Sequence, residues 1–187
     1  MLKRAFDIIL GSIFLVVLIV PGIIIAAWVK FTSEGPILFW SERVGKDNRL
    51  FYMPKFRSMY IGTPIVATHK LADADYMVTP VGKFLRQTSL DELPQLYSIL
   101  SGKMSFVGPR PALFNQDDLI KLRTECNVHT LKPGLTGWAQ INGRDHISIE
   151  GKVDLDRYYL ENMSLMLDFK IILLTSIYVL KRSGISH

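Results

Sequence analysis

The sequence predicts a mixed, helix-rich α+β protein of one domain, attached to a membrane through its N-terminus. Three observations carry that prediction. A run from Phe6 to Val29 is apolar except at Asp7, Gly11, Ser12 and the pair Pro21-Gly22. Short β-prone stretches between residues 37 and 56 are followed by several helical patterns. The chain has 187 residues, enough for a single core, and 49% of them are hydrophobic, with the surplus gathered near the N-terminus.

As one straight helix, Phe6–Val29 would be roughly 36 Å long, enough to cross a hydrocarbon core of about 30 Å. Pro21 lacks the amide proton and clashes with the Val17 carbonyl, and Gly22 loosens the next step. Each half is then too short to span. Lys3 and Arg4 precede the run and Lys30 follows it, so the positive-inside tendency places both flanks on one side. A re-entrant helix-break-helix satisfies this. A spanning helix stays open as the alternative, because proline is tolerated there too. No small-residue cleavage site follows the run, which argues against a signal peptide.

Beyond Glu34-Gly35-Pro36, the stretches Ile37–Trp40 and Leu50–Met53 read as extended pieces around a turn at Gly45–Asn48. Lys55-Phe56-Arg57-Ser58-Met59 reads as a half-buried strand with solvated charges, or as a basic-aromatic contact for nucleic acid or a membrane rim, of which the apolar N-terminus favours the rim. Tyr60–Thr79 lacks periodicity and is expected to be a loop. Val81–Gln87 presents Lys83 and Arg86 on a short helix or turn. Leu90–Leu100 reads as a helix, distorted in its first turn by Pro94. Asn115–Arg123 and Val153–Asn162 suggest further helices. Between them Lys132–Arg144 is a glycine-punctuated loop whose polar side chains, Gln140 and Arg144 among them, suit either a nucleotide or sugar wrap or a plain connection. Leu165–Leu180 is apolar, with Asp168 near its start and Lys181-Arg182 at its end, as the helix dipole favours. Its uncharged stretch is too short to span, so it reads as an interfacial amphipathic helix or a core helix.

The net charge of +5 fits a nucleic acid, an anionic lipid surface or a phosphorylated substrate, and the apolar N-terminus favours the last two. The one cysteine, Cys126, excludes an internal disulfide. His69, His129, His146 and His187 show no metal-ligand spacing, and no Walker, Rossmann or nucleophilic-serine motif is present.

Two blocks stand out, Thr88-Ser89-Leu90-Asp91-Glu92-Leu93-Pro94-Gln95-Leu96 and Met104-Ser105-Phe106-Val107-Gly108-Pro109-Arg110-Pro111. The first matches a capping box, with Ser89 as N-cap and Glu92 at the third helical position, and this alone would explain its acids. The same geometry supports chemistry. A helix N-terminus attracts anions and would lower the Asp91 pKa, keeping a nucleophilic carboxylate charged. Mg²⁺ could then bridge Asp91 to phosphates. Arg86 and the stiffly framed Arg110 could clamp those phosphates, with Lys55, Arg57 and Arg144 as weaker candidates.

In this order and spacing the two blocks resemble the bacterial sugar transferases known as monotopic polyprenol-phosphate phosphoglycosyl transferases. The resemblance runs from the basic N-terminus to Lys181-Arg182-Ser183-Gly184. It implies one transferase domain over residues 1–187, with residues 1–30 as the re-entrant membrane helix and 31–187 as the cytoplasmic and interfacial catalytic part, a compact core-only form. It implies transfer of a sugar-1-phosphate from a UDP-sugar to undecaprenyl phosphate, with release of UMP, at the inner face of the bacterial inner membrane. This is the first membrane step of glycoconjugate synthesis. It also implies Mg²⁺, with Asp91 as nucleophile and metal ligand and Glu92 as acid/base. Where the family commonly has Ser-Pro at the helix break, this chain has Val20-Pro21. The expected partners are the UDP-sugar, polyprenol phosphate and membrane lipid, with a homodimer left open and no nucleic acid. The alternatives are a membrane-anchored phosphohydrolase and a non-catalytic adaptor for anionic lipid.

Overall fold

The computed structural model describes residues 2–64, 74–143 and 147–181. The first helix, α1 (Leu2–Thr32), runs through Pro21 and Gly22 without a non-helical interruption. The expected helix-break-helix therefore takes the form of one continuous helix. The missing amide of Pro21 costs one hydrogen bond, while helical geometry still pairs the remaining backbone groups, as an apolar surrounding demands.

One stripe of α1 packs against the rest of the chain. Asp7, Gly11, Ile25 and Val29 are buried, and Leu10, Leu18 and Ala26 pack beside them. Gly11 permits the close approach, since a Cβ there would lie 2.9 Å from Leu100. The opposite face, including Ile9, Val16, Val17, Ile19, Val20, Ile23 and Ile24, is exposed. Only 11% of its most apolar 18-residue window is buried, so this helix is long and apolar enough to serve as a membrane anchor.

Three charged residues near the start of α1 each hold a different element. Lys3 pairs with Asp168 at 2.6 Å and donates to the Tyr159 hydroxyl. Arg4 donates to the carbonyls of Ile99 and Leu100. The buried Asp7 carboxylate accepts from Ser105 Oγ and Phe106 N, each at 3.0 Å. At the other end of α1, Arg57 donates to the carbonyls of Val29, Ser33 and Pro36, which closes the last turn of the helix.

Next comes an antiparallel hairpin, β1 (Leu38–Val44) and β2 (Leu50–Phe56), longer than the two stretches expected, with Ser41 opposite Met53. The turn between them is a 3₁₀ segment in which Asp47 and Asn48 adopt left-handed φ values, a conformation that Asp and Asn tolerate. Residues 65–73 of the Tyr60–Thr79 stretch lie outside the described residues. Its remainder includes a short helix, α2 (Ala74–Met77). The helix α3 (Pro80–Gln87) starts at Thr79, whose hydroxyl accepts from Gly82 N, with Pro80 at its first turn.

The expected helix over Leu90–Leu100 is two elements. A 3₁₀ segment (Leu90–Gln95) contains Pro94, and α4 (Leu96–Leu100) follows. Then come β3 (Ser105–Val107), α5 (Asp117–Glu125), β4 (Gly134–Thr136), α6 (Trp138–Asn142), α7 (Ile149–Glu161) and α8 (Leu165–Lys181). β3 and β4 form a parallel pair. The glycine-punctuated stretch is thus a strand and a short helix. Its glycines serve close backbone approach, because a Cβ on Gly134 would sit 2.1 Å from Gly108 N and one on Gly137 would sit 2.1 Å from Gly108 O.

The main core gathers Phe51, Met53, Leu96, Ile99, Met104, Phe106 and Ile171. A second cluster joins Ile25 and Val29 of α1 to Phe56, Val81 and Leu85. α1 is therefore part of the packing from end to end. Asp7→Ala would leave the Phe106 amide buried without its acceptor, a loss of about 1–3 kcal/mol. We expect Tm to fall by roughly 4–8 °C. Asp7→Asn keeps one accepting oxygen and should lose less in the same thermal melt.

Candidate active site

α3 ends at Thr88, and Ser89 then takes a left-handed conformation (φ 58°) with no side-chain cap. The capping box does not form. The reversal at Ser89 turns the 3₁₀ segment toward β2. Lys55 of β2 reaches both acids, at 2.8 Å from Glu92 Oε1 and 3.8 Å from Asp91 Oδ2. Arg110 Nη2 meets the same Glu92 oxygen at 2.7 Å. Adjacent residues of a 3₁₀ turn diverge by about 120°, and one lysine nonetheless bridges them.

The electrostatics of the two acids differ. Burial raises the Asp91 carboxyl above its ordinary value, and Lys55, Arg110 and Arg86 offset this only in part while Glu92 adds to it. Burial also works to raise Glu92, but Arg110 and Lys55 outweigh it and hold that carboxyl well below the usual range. The charge balance at Asp91 is thus set by burial against neighbouring cations, with no helix end lowering its pKa as the sequence suggested.

Of the other residues singled out from sequence, Arg86 lies close enough to act on Asp91. Arg57 does not join the cluster. It is buried at the end of α1, where carbonyl oxygens and the Ser33 hydroxyl take up its Nη donors while Nε has no partner among the described residues, so the structure gives Arg57 a tie to the helix end in place of the expected phosphate contact. Gln140 sits beside Gly137, near the Gly108 carbonyl, with both amide atoms buried and without a hydrogen-bond partner among the described residues. Arg144 lies outside the described residues.

Sequence reasoning missed Arg43. Its guanidinium donates to Ser41 Oγ and to the Pro111 carbonyl. Burial, then repulsion from Arg110, lowers its pKa to about 10, while Glu92 pulls it back up. An arginine in a β-prone stretch carries no signal of this. Gln95, at the end of the same 3₁₀ segment as the two acids, is also buried, and its Nε2 has no partner among the described residues. Lys55, Arg86, Arg110 and Arg43 together outnumber the two carboxylates, an excess of positive charge that suits an anion such as a phosphate.

Among the described residues no three His, Cys, Asp or Glu side chains gather as a ready metal cage. Mg²⁺ commonly binds through one or two carboxylates plus substrate phosphates and water, and Asp91 with Glu92 fits that mode.

The family described as bacterial sugar transferase matches residues 1–182. Over 98% of its length the chain is 37% identical to an undecaprenyl-phosphate galactose phosphotransferase of Salmonella typhimurium, of which it covers 41%. Over 94% it is 40% identical to the UDP-glucose:undecaprenyl-phosphate glucose-1-phosphate transferase of Escherichia coli, of which it covers 39%. It is also 40% identical over its full length to the uncharacterized sugar transferase EpsL of Bacillus subtilis, covering 91% of that protein. The chain thus spans about two fifths of the first two relatives.

A carboxyl whose folded-state pKa is raised destabilises the fold above that raised value, and below its ordinary 3.8 the penalty is gone. A carboxyl held low, such as Glu92, adds stability above about 4.5 that is lost as pH falls through its folded value. At neutral pH we therefore expect Asp91→Asn to melt about 2–5 °C above the wild type and Glu92→Gln below it. Both differences should shrink on acidification. A neutral-pH melt in which Asp91→Asn is the less stable would count against this balance.

Proposed function

The chain belongs to the bacterial sugar transferase family, and from that premise we propose that it moves a sugar-1-phosphate from a UDP-sugar onto undecaprenyl phosphate. The observation that carries this reading is the buried acid pair Asp91–Glu92, bridged by Lys55 and faced by Arg110, in a body packed along an apolar helix. The printed names of two relatives add the substrate class.

In the proposed scheme an Asp91 carboxylate oxygen attacks the phosphorus that bears the sugar. The bond from that phosphorus to the bridging oxygen breaks, and UMP leaves with the electron pair. A phosphate oxygen of the polyprenol phosphate then attacks the same phosphorus and expels Asp91. Burial that makes the Asp91 charge costly favours its conversion to an acyl phosphate. Arg110, Arg86 and Lys55 meet the phosphate charge, in a site already rich in cations. Glu92 is a weak base while Arg110 and Lys55 hold it. Phosphates that draw those cations away raise its basicity, which suits an acid/base role toward the acceptor. Asp91, with Glu92 beside it, would hold Mg²⁺, which when bound offsets the charge of the diphosphate.

The membrane arrangement follows the same logic. α1 is packed against the body from Asp7 to Val29 and presents its apolar face outward. Lys3, Arg4 and Lys30 place positive charge at both ends. A helix held along a polar body cannot cross a bilayer without drawing that body in, so we read this continuous helix as held in one leaflet of the bacterial inner membrane, catalytic part to the cytoplasm. A second copy of the chain enters no step of this scheme.

The test is incubation with a panel of UDP-sugars and undecaprenyl phosphate, with detection of UMP. Continued UMP release that requires the acceptor is expected, with no more than about one equivalent per enzyme without it, and Asp91→Asn should lower turnover by roughly three orders of magnitude or more. Release of free sugar phosphate without acceptor would indicate a hydrolase, and a silent panel with folded protein would sink the transferase reading.

A further inference from the structure

All four residues of Gly108-Pro109-Arg110-Pro111 have a backbone group tied to another element. Gly108 N donates to the Thr136 carbonyl, and the Pro109 carbonyl accepts from Gly134 N. The other two ties come from side chains. The Arg110 carbonyl accepts from Arg123 Nη1 at 2.8 Å, and the Pro111 carbonyl from Arg43 Nη1 at 3.2 Å.

Arg123 is itself locked. It is buried on α5 against Asp156 of α7, which is also buried, with Nε at 3.0 Å and Nη2 at 2.6 Å from Asp156 Oδ2. The fork therefore spends two donors on one carboxylate and aims a third at the backbone of Arg110. Gly108, Pro109 and Pro111 are buried, and a cavity of about 30 Å³ lined by Val44, Pro109, Pro111, Arg123 and His129 adjoins them. The Arg110 side chain is 47% exposed. Its guanidinium meets Glu92 at 2.7 Å, and the Arg123 tie to its carbonyl fixes the backbone from which that guanidinium reaches the site.

A buried ion pair is not needed for stability as such. Apolar replacements of similar volume are often neutral or stabilising. What an apolar pair cannot do is donate to the Arg110 carbonyl.

We propose that the Arg123–Asp156 pair is a positioning device that presents Arg110 to the diphosphate of the donor. The proposal rests on the transferase reading for the identity of that donor and on the geometry above for the rest. It distinguishes Arg123 from the arginines of the site, since it acts through Arg110 and does not touch the ligand. The ordering cost that a long exposed side chain brings to binding is reduced in advance.

The test uses the full chain in lipid nanodiscs and inorganic pyrophosphate as probe, with binding read by calorimetry. Arg123→Met with Asp156→Leu should keep Tm within a few degrees of the wild type and weaken pyrophosphate about tenfold. Arg123→Lys, which keeps the charge opposite Asp156 but loses the fork, is the second variant and should also bind more weakly. In an Arg110→Ala background the paired substitution should change binding less than about twofold, because the residue it positions is gone. With a UDP-sugar, the effect should fall on donor KM and leave kcat little changed. Pyrophosphate affinity at the wild-type level in both variants overturns the proposal. So does a loss that persists in full without Arg110, or a wild type that does not bind pyrophosphate. Turnover that fails while this binding pattern holds would remove the transferase reading and leave the positioning role standing.

Discussion

The constraint that organises this protein is the cost of keeping two neighbouring carboxylates away from water. Asp91 and Glu92 can sit where they do only because cations are brought to them from distant parts of the chain: Lys55 from the hairpin and Arg110 from the turn after β3. The two acids do not share that support equally. Arg110 and Lys55 both converge on one Glu92 oxygen, and the Lys55 contact to Asp91 is the longer one. Unequal support separates an acid held as a stable carboxylate from one whose charge is strained, and pairs of acids pushed apart in this way are suited to different chemical tasks.

The elements that deliver these groups are held by α1. Arg4 caps α4, which follows the acid pair. Asp7 holds β3, which leads into the Arg110 turn. Arg57, two residues after Lys55, closes the far end of the helix. The apolar helix is thereby both the membrane-facing surface and the frame of the site. Such a coupling suits the reaction proposed above, in which a water-soluble donor and a lipid acceptor meet at one place, because the depth of the helix and the height of the acids are fixed together.

Much of the architecture could be read from local pattern. The apolar run, the helices α3, α5, α7 and α8 and the hairpin follow from periodicity and turn residues, which act over a few positions. The distortion caused by Pro94 was also legible, since a missing amide is a local fact. Other features escaped because equivalent local patterns have more than one tertiary use. Ser89-Leu90-Asp91-Glu92 fits a capping box, yet the reversal at Ser89 and the pull of Lys55 and Arg110 send Glu92 elsewhere. Lys55 and Arg57 look alike in the same basic strand, but one meets the acids and the other a helix end. The glycines of the Lys132–Arg144 stretch looked like a loop and instead admit the backbone of Gly108.

The sequence by itself determined the membrane-seeking helix, the mixed α+β character and the pair of acid and arginine blocks, because hydrophobicity, backbone restriction and residue chemistry are properties of short stretches. The tertiary structure alone decided which cations serve which carboxylate. It made Arg43 and Arg123 supports of the Arg110 turn, and it set burial against charge at Asp91. Those outcomes depend on contacts between residues as far apart as Lys55 and Glu92 or Arg123 and Asp156, and a charge pair is formed by distance and burial in space, to which order along the chain is blind.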